Sequence, residues 1–299
     1  MAGDILLLGR SGQVATAVSA AATAQGRTIR HLARPELDLA CPAEIAARLE
    51  PVLMAAGPGS VLVNAAAWTD VNGAETEPDR AHTINAVAPG ILAARCQQVG
   101  VAMIHLSTDY VYDGLKPGAY RESDACNPVS VYGRAKLAGD EAVMQSGARH
   151  IILRTSAVFS ATGQNFLRTM LRLGASQNTI RVVDDQITCP TAAADIAATI
   201  LTIADRLAGG ATESGVFHYS GNTPRSWADF ACDIFKRAQP DIARRPTVVR
   251  IGTSDYPTPA QRPANSVLDC NAIERTFGVR QPDYAAALAR TLTDILNGR

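Results

Sequence analysis

Ile5-Leu6-Leu7-Leu8-Gly9-Arg10-Ser11-Gly12-Gln13-Val14-Ala15 is a short apolar run that stops at a glycine turn and gives way to an alanine-rich stretch reaching Gln25. Strand, glycine turn and helix in that order open a mononucleotide-binding unit. The glycines permit a tight turn and close approach of backbone to phosphate, while the helix N-terminus offers free N–H groups and partial positive charge. The spacing is Gly9-x-x-Gly12-x-x-Ala15, short of a full Gly-x-Gly-x-x-Gly. By itself it fits a plain strand-to-helix turn equally well; its place after the first strand favours the phosphate reading.

Downstream, short apolar strands alternate with helices. Thr28-Ile29-Arg30-His31-Leu32 reads as the second strand, and a helix runs from Pro42 to about Ala55. Gly57-Pro58-Gly59 leads into the strand Val61-Leu62-Val63, followed by the small residues Asn64-Ala65-Ala66-Ala67. A long helix covers 77–98 with Asn85 on it, Ala102-Met103-Ile104-His105-Leu106 forms a fourth strand, and Ile151-Ile152-Leu153-Arg154 another. This alternation predicts parallel βαβ units with right-handed crossovers, hence an α/β fold with a Rossmann-type doubly wound parallel sheet. Beyond 160 the pattern loosens into shorter elements. Residues 1–160 are expected to form the nucleotide-binding domain, with 191–215 returning to it, and 161–190 with 216–299 a smaller C-terminal substrate-binding lobe.

The chemistry-bearing stretch is Val131-Tyr132-Gly133-Arg134-Ala135-Lys136. On a helix, Tyr132 and Lys136 are i,i+4 neighbours, so a phenol and an ammonium share one face. A nearby cation favours the charged form of a tyrosine, which makes the pair a proton donor and acceptor nearer neutrality. Ser107-Thr108-Asp109-Tyr110 stands at the carboxyl end of the fourth strand, the edge at which open parallel sheets bind ligands. At the end of the second strand Ala33 replaces the acid that would accept ribose hydroxyls, and Arg34 follows. A guanidinium there suits a 2′-phosphate, which tilts the cofactor from NADH to NADPH; a solvent-facing loop arginine is the other reading.

The chain has 28 acidic and 28 basic residues and no net charge, which gives neither a nucleic-acid footprint nor an anionic-membrane surface. Its six cysteines are scattered, without Cys-x-x-Cys, and read as reduced thiols, not metal ligands. No apolar run reaches the ~18 residues of a membrane helix, and Met1-Ala2-Gly3-Asp4 carries no basic leader, so a cytoplasmic location is expected.

Taken together, Gly9-x-x-Gly12-Gln13-Val14, Asn64-Ala65-Ala66-Ala67, Ser107-Thr108-Asp109-Tyr110-Val111-Tyr112 and Tyr132-x-x-x-Lys136 resemble the extended short-chain dehydrogenase/reductases. With Asp184-Asp185-Gln186, Pro190-Thr191 and Tyr256-Pro257-Thr258-Pro259-Ala260-Gln261-Arg262-Pro263, the resemblance narrows to the dTDP-4-dehydrorhamnose reductase family. It implies reduction of the C4 ketone of a nucleotide-linked 6-deoxy-4-hexulose by NADPH or NADH. Thr108, Tyr132 and Lys136 would be catalytic. Gly9, Arg10, Ser11, Gly12, Gln13 and Val14 would hold the cofactor's phosphates, Arg34, Asp38 and Leu39 its adenosine end, and Ala66, Ala67 and Thr69 its length, with Tyr132 and Lys136 at the nicotinamide ribose. Asp109, Tyr110, Ala157, Asn165 and Arg262 would join Thr108 around the substrate, Arg262 as a clamp for its diphosphate or else as an interdomain arginine. A homodimer is a further implication. Some relatives hold a magnesium through an acid on the first helix; Ala15-Thr16-Ala17-Val18 offers none, and no metal is expected.

Two positions depart from the family pattern. Ala157 stands where a pocket-lining tryptophan is usual, and Thr188 where a glycine is. The sugar pocket is therefore expected to be roomier than in relatives carrying tryptophan: neighbours such as Phe159, Trp68 or Tyr110 swing in and specificity persists, or they do not and bulkier sugars are admitted. Two other classes share much of the pattern: nucleotide-sugar dehydratases or epimerases, which recycle their cofactor, and a non-catalytic regulatory subunit of methionine adenosyltransferase. Dehydratases typically carry an acidic pair after the Ser/Thr, whereas Tyr110 follows Asp109; an intact Tyr132 and Lys136 argue for chemistry.

Overall fold

A computed structural model describes residues 4–57, 59–238 and 245–298. Met1, Ala2 and Gly3 of the N-terminal reading and Pro58 of the Gly57-Pro58-Gly59 turn lie outside the described residues. The first half runs β1 (Ile5–Leu8), α1 (Gln13–Ala24), β2 (Ile29–Leu32), α2 (Pro42–Ala56), β3 (Val61–Asn64), α3 (Val71–Thr76), α4 (Pro78–His82), α5 (Ala88–Val99), β4 (Ala102–Thr108), α6 (Val131–Gln145) and β5 (His150–Thr155). The second runs β6 (Val158–Phe159), α7 (Phe166–Ser176), β7 (Thr179–Val183), β8 (Ile187–Thr188), β9 (Thr191–Ala192), α8 (Ala193–Ala208), β10 (Gly215–His218), β11 (Arg225–Ser226), α9 (Trp227–Ala238), β12 (Thr247–Ile251), α10 (Asn271–Phe277) and α11 (Tyr284–Asn297).

One parallel sheet has the order β2-β1-β3-β4-β5-β10. Side chains alternate across it: Ile5, Leu7, Val61 and Val63 face α1 and α8, while Leu6, Leu8 and Leu62 face α2 and α5. Both faces are covered, which is why the strands read as unbroken apolar runs. The order reverses between β1 and β3, so their carboxyl ends open a crevice suited to a ligand. A third core of Phe159, Met170, Phe230, Phe235 and Leu288 holds α7, α9 and α11 together as a separate lobe.

The sheet extends further along the chain than the boundary at 216 allowed. β10 pairs with β5 from Gly215 to His218, and Ile273 and Phe277 of α10 pack against the α1/α8 face. A four-residue strand late in the chain carries too short a pattern to announce its partner. Among the described residues, no helix is long and apolar enough to cross a membrane.

The long helix expected over 77–98 is interrupted. Thr83–Val87 forms a π-turn between α4 and α5. Pro89 lacks the N–H that would bond the carbonyl four residues earlier, that of Asn85, and its ring crowds that carbonyl; widening the helix relieves both. The freed Asn85 carbonyl meets α6 at Gly139, where a Cβ would overlap it, and a Cβ at Gly133 would likewise overlap the Tyr110 carbonyl. Two glycines on the packed side of α6 therefore set how closely that helix lies against the sheet's ligand-binding edge.

Gly139→Ala should force α6 away from the π-turn at a cost of about 1–3 kcal/mol, as in other overpacked interiors. Thermal unfolding reads this as a lowered Tm; an unchanged Tm would mean the two backbones are not held in contact.

Candidate active site

The N-terminus of α6 is fixed twice. The Ser130 hydroxyl accepts from the Gly133 N–H at 3.1 Å, and the Glu75 carboxylate accepts from the Val131 N–H at 2.9 Å. An acid at a helix N-terminus also meets the favourable end of its dipole. Tyr132 emerges half-buried beside Tyr110, ring centroids 5.9 Å apart and nearly perpendicular, with the Thr108 hydroxyl as its hydrogen-bonding neighbour.

The two members of the Tyr-x-x-x-Lys pair have different surroundings. Lys136 is 2 % exposed; its ammonium donates to the Leu106 carbonyl at 2.7 Å and lies 3.3 Å from His105 Nε2. Burial lowers its pKa to about 8, opposed by the carboxylate of Asp140. Asp140 in turn accepts from Arg154 Nε at 3.1 Å, and Arg154 Nη1 donates to the Tyr112 phenol at 2.8 Å. His105 receives the Asn64 amide at 3.1 Å through Nδ1, and burial and the Lys136 charge hold it neutral.

The expectation that Lys136 would bring Tyr132 towards neutrality is not met. Burial pushes the phenol above its usual value, with Thr108 opposing and Asp109, Tyr110 and Asp140 adding to the rise. The physical reason is that Tyr132 loses water on entering the site while acidic groups surround it. Such a phenol stays protonated throughout the neutral range, the form a proton donor needs.

The glycine turn and the end of β3 lie together. Gly9 has φ 108°, and a Cβ there would stand 3.2 Å from the Ala15 Cβ and 3.4 Å from the Ala65 carbonyl, so this turn requires glycine. Helix α1 begins without a side-chain cap or an acid in its first turn. Its first N–H groups, from Gln13 onward, lack intrahelical acceptors and suit an anion. Arg10, Ser11, Gly12, Arg34, Ala67 and Thr69 are exposed, Val14 and Ala66 half-buried, and Leu39 buried.

Three of the expected site side chains also have hydrogen-bond partners within the protein. Asp38 accepts from the Ala40 N–H at 3.0 Å in a local turn. Asn165 donates to Gln13 Oε1 at 2.9 Å and to the Ser160 carbonyl at 3.0 Å, while its oxygen caps α7; it ties the start of α7 to the start of α1. Gln13 spends its side chain on that junction, leaving its backbone for the phosphate turn. Asp109 is 2 % exposed, and its two oxygens accept from Thr108 at 3.1 Å and Ser156 at 2.6 Å. Each is a short polar side chain satisfied by backbone or hydroxyl groups within reach, as burial demands.

Two cavities border Trp227. A small one of about 80 Å³ is lined by Tyr110, Ala157, Gln186, Thr188, Trp227 and Ser266. Ala157 has φ 43°, unusual for a residue with a side chain. Of the aromatics expected near it, Tyr110 does line the cavity; Phe159 is buried in the lobe core, and the Trp68 indole donates to the Asp70 carbonyl. The aromatic opposite is Trp227, from the first turn of α9. A larger cavity of about 340 Å³ also borders Trp227, with Phe166, Tyr256 and Arg262. Arg262 donates to Thr258 Oγ1 at 2.6 Å, the Ala260 carbonyl at 3.3 Å and Asn72 Oδ1 at 3.3 Å, so its hydrogen-bond partners there are neutral and its charge stays available.

Sequence reasoning gave no role beneath Lys136 to His105, Asn64, Asp140 or Arg154, and none at the site to Ser156 or Trp227. Asp140 carried a signal, standing four residues beyond Lys136 on the same helix; the others come together only through the sheet and the second lobe.

The sequence profile of the RmlD substrate binding domain matches residues 3–297. A dTDP-4-dehydrorhamnose reductase of Sinorhizobium fredii is 42% identical, covering 98% of this chain and 97% of its own. One of Burkholderia thailandensis is 40% identical, over 98% and 99%. The crystal structure of a Bacillus anthracis dTDP-4-dehydrorhamnose reductase in complex with NADP superimposes with a TM-score of 0.89 at 29% identity, covering 98% of this chain and 100% of that one. With agreement along nearly its whole length in both sequence and fold, the chain belongs to the dTDP-4-dehydrorhamnose reductase family.

Proposed function

We propose that this protein reduces the C4 ketone of a nucleotide-linked 6-deoxy-4-hexulose, as in dTDP-4-dehydrorhamnose to dTDP-L-rhamnose, at the expense of NADPH. The observation that carries the reading is Tyr132 on α6 beside Thr108 at the end of β4, on the same carboxyl edge of the sheet as an uncapped helix and glycine turn that fit a dinucleotide. Relatives named for this reduction, one of them solved with NADP, support it. Reaction on a soluble nucleotide-sugar fits a cytoplasmic location.

The glycine turn Gly9–Gly12 and the backbone of Gln13 and Val14 would hold the pyrophosphate, and Arg34 the 2′-phosphate. When bound, the reduced nicotinamide supplies the hydride. Tyr132 gives its phenolic proton to the carbonyl oxygen as negative charge develops there, with the Thr108 hydroxyl donating to the same oxygen. Lys136 holds the nicotinamide ribose, its charge supported from below by Asp140. Arg262, whose hydrogen-bond partners among the described residues are neutral, clamps the substrate diphosphate. The sequence Asp109-Tyr110 gives no second acid for elimination, which sets this reading ahead of a dehydratase.

Loss of NADPH absorbance in the presence of a dTDP-4-keto-6-deoxy sugar tests the activity. Tyr132→Phe should lower kcat about 10²–10⁴-fold, about 3–5 kcal/mol of transition-state stabilisation, with NADPH affinity within a few-fold of wild type. Wild-type turnover in this variant would remove Tyr132 from the chemistry.

Arg34→Ala should weaken NADPH binding and leave NADH binding nearly unchanged. Equal weakening of both, by calorimetric titration, would show that Arg34 does not read the 2′-phosphate.

Lys136 carries its proton below a pKa of about 8 and loses it above. Since kcat/KM reports the free enzyme, kcat/KM for NADPH should fall as pH rises through about 8. A flat profile well beyond that pH would mean the ammonium does not serve the cofactor.

A further inference from the structure

Asp109 lies at the centre of a hydroxyl chain that crosses from the nucleotide-binding domain into the second lobe. Its Oδ1 accepts from Thr108 at 3.1 Å and its Oδ2 from Ser156 at 2.6 Å. Ser156 Oγ lies 2.6 Å from Thr188 Oγ1, on β8, and also accepts from the Cys189 N–H at 3.4 Å. Asp109, Ser156 and Thr188 are all buried, at 2 %, 1 % and 4 % exposed.

Each hydroxyl has one proton, which fixes the directions. Burial raises the Asp109 pKa, and the Ser156, Ser266 and Thr108 hydroxyls oppose that rise by donating to its charged form; with Asp109 a carboxylate, Ser156 gives its proton to it and Thr188 gives its own to Ser156. Thr108 gives its proton to Asp109 and accepts from the Tyr110 N–H at 3.2 Å. In this arrangement Thr108 has no proton for a substrate oxygen. To donate there it must turn away from Asp109, leaving that carboxylate to Ser156 and to Ser266, its remaining hydroxyl neighbours. A Ser156 hydroxyl that is itself receiving a proton from Thr188 is the stronger donor, because chained hydrogen bonds polarise one another.

We propose that Thr188 is a positioning residue for the reduction: through Ser156 it holds the Asp109 carboxylate, so that the Thr108 hydroxyl is free to turn to the substrate carbonyl. This rests on the reading of Thr108 as a donor to that carbonyl. It also gives a physical role to Thr188, one of the two departures from the family pattern. Where Thr188 has no hydroxyl, Asp109 leans harder on Thr108, and the cost falls on the chemical step instead of on binding.

Steady-state kinetics of Thr188→Val and Thr188→Ser, with NADPH and a dTDP-4-keto-6-deoxy sugar, separate this from a wall role in the small cavity. Valine keeps the shape and removes the proton. Thr188→Val should lower kcat about 3–10-fold with KM within about twofold, and Thr188→Ser should restore kcat, the pattern of an interaction made in the transition state. An unchanged kcat in Thr188→Val, a rise in KM alone, or a serine variant as slow as valine at equal Tm would overturn the proposal. If Thr188→Val does not fold, Ser156→Ala must show the same loss of kcat, and wild-type kcat there overturns it equally. Infrared difference spectra taken against Asp109→Asn give a readout without turnover: the Asp109 carboxylate band should shift in the Thr188 and Ser156 variants. Band shifts in these variants, together with a wild-type protein that reduces no keto sugar, would count against the proposed function and leave the chain standing; an unshifted band in the variants overturns the chain.

Discussion

Much of the site depends on the place where the chain abandons regular helix, at Asn85. Pro89 denies the Asn85 carbonyl its helical partner, and the π-turn that follows carries that carbonyl to Gly139 on α6. The Asn85 side chain works in the other direction: its oxygen accepts from the Trp68 N–H at 2.9 Å and its nitrogen donates to the Trp68 carbonyl at 2.9 Å. One buried residue thus holds both the helix that carries Tyr132 and Lys136 and the segment leaving β3, which lies beside the glycine turn. A backbone polar group freed by proline must find a partner or a close contact, and here that requirement sets the width of the cleft.

Beneath the cleft lies a buried set of charges, Lys136, Asp140 and Arg154, with the neutral rings of His105 and His218 at its ends. Burying ions is costly, and a core of apolar side chains would be at least as stable. The set persists where an ammonium has to stand in a dry site. Burial brings Lys136 down to about 8, and Asp140 keeps it from falling further. Arg154 then balances Asp140 and passes the connection to Tyr112 and His218 on the far side of β5. The chemistry at the surface of the site is therefore supported by electrostatics that cross three neighbouring strands.

How much of this was legible in the sequence follows the range of the interactions. The strands of the sheet announced themselves, since burial on both faces leaves runs such as Ile5–Leu8, and the Tyr132–Lys136 spacing needs only one helix to have meaning. Strand β10 was missed because four residues cannot declare a partner strand 64 residues earlier in the chain. The partners of Asp109 and Asn165 within the protein were not legible, because a motif fixes where a backbone stands, not which hydroxyls and carbonyls the fold brings to a short side chain. The fall of the Tyr132 pKa was expected from one neighbour; its rise comes from burial, which the i,i+4 spacing does not encode.

The central claim is that this site delivers hydride to C4 of a nucleotide-linked keto sugar and releases an oxidised cofactor. NADPH deuterated at the transferable position of its nicotinamide ring, incubated with the protein and a dTDP-4-keto-6-deoxy sugar, tests it directly by NMR of the sugar product. Deuterium at C4 of the product, with one cofactor oxidised per sugar reduced, is the predicted result. A sugar altered without net cofactor oxidation, or one that carries no deuterium at C4, would contradict the account and return the chain to the cofactor-recycling enzymes that share its fold.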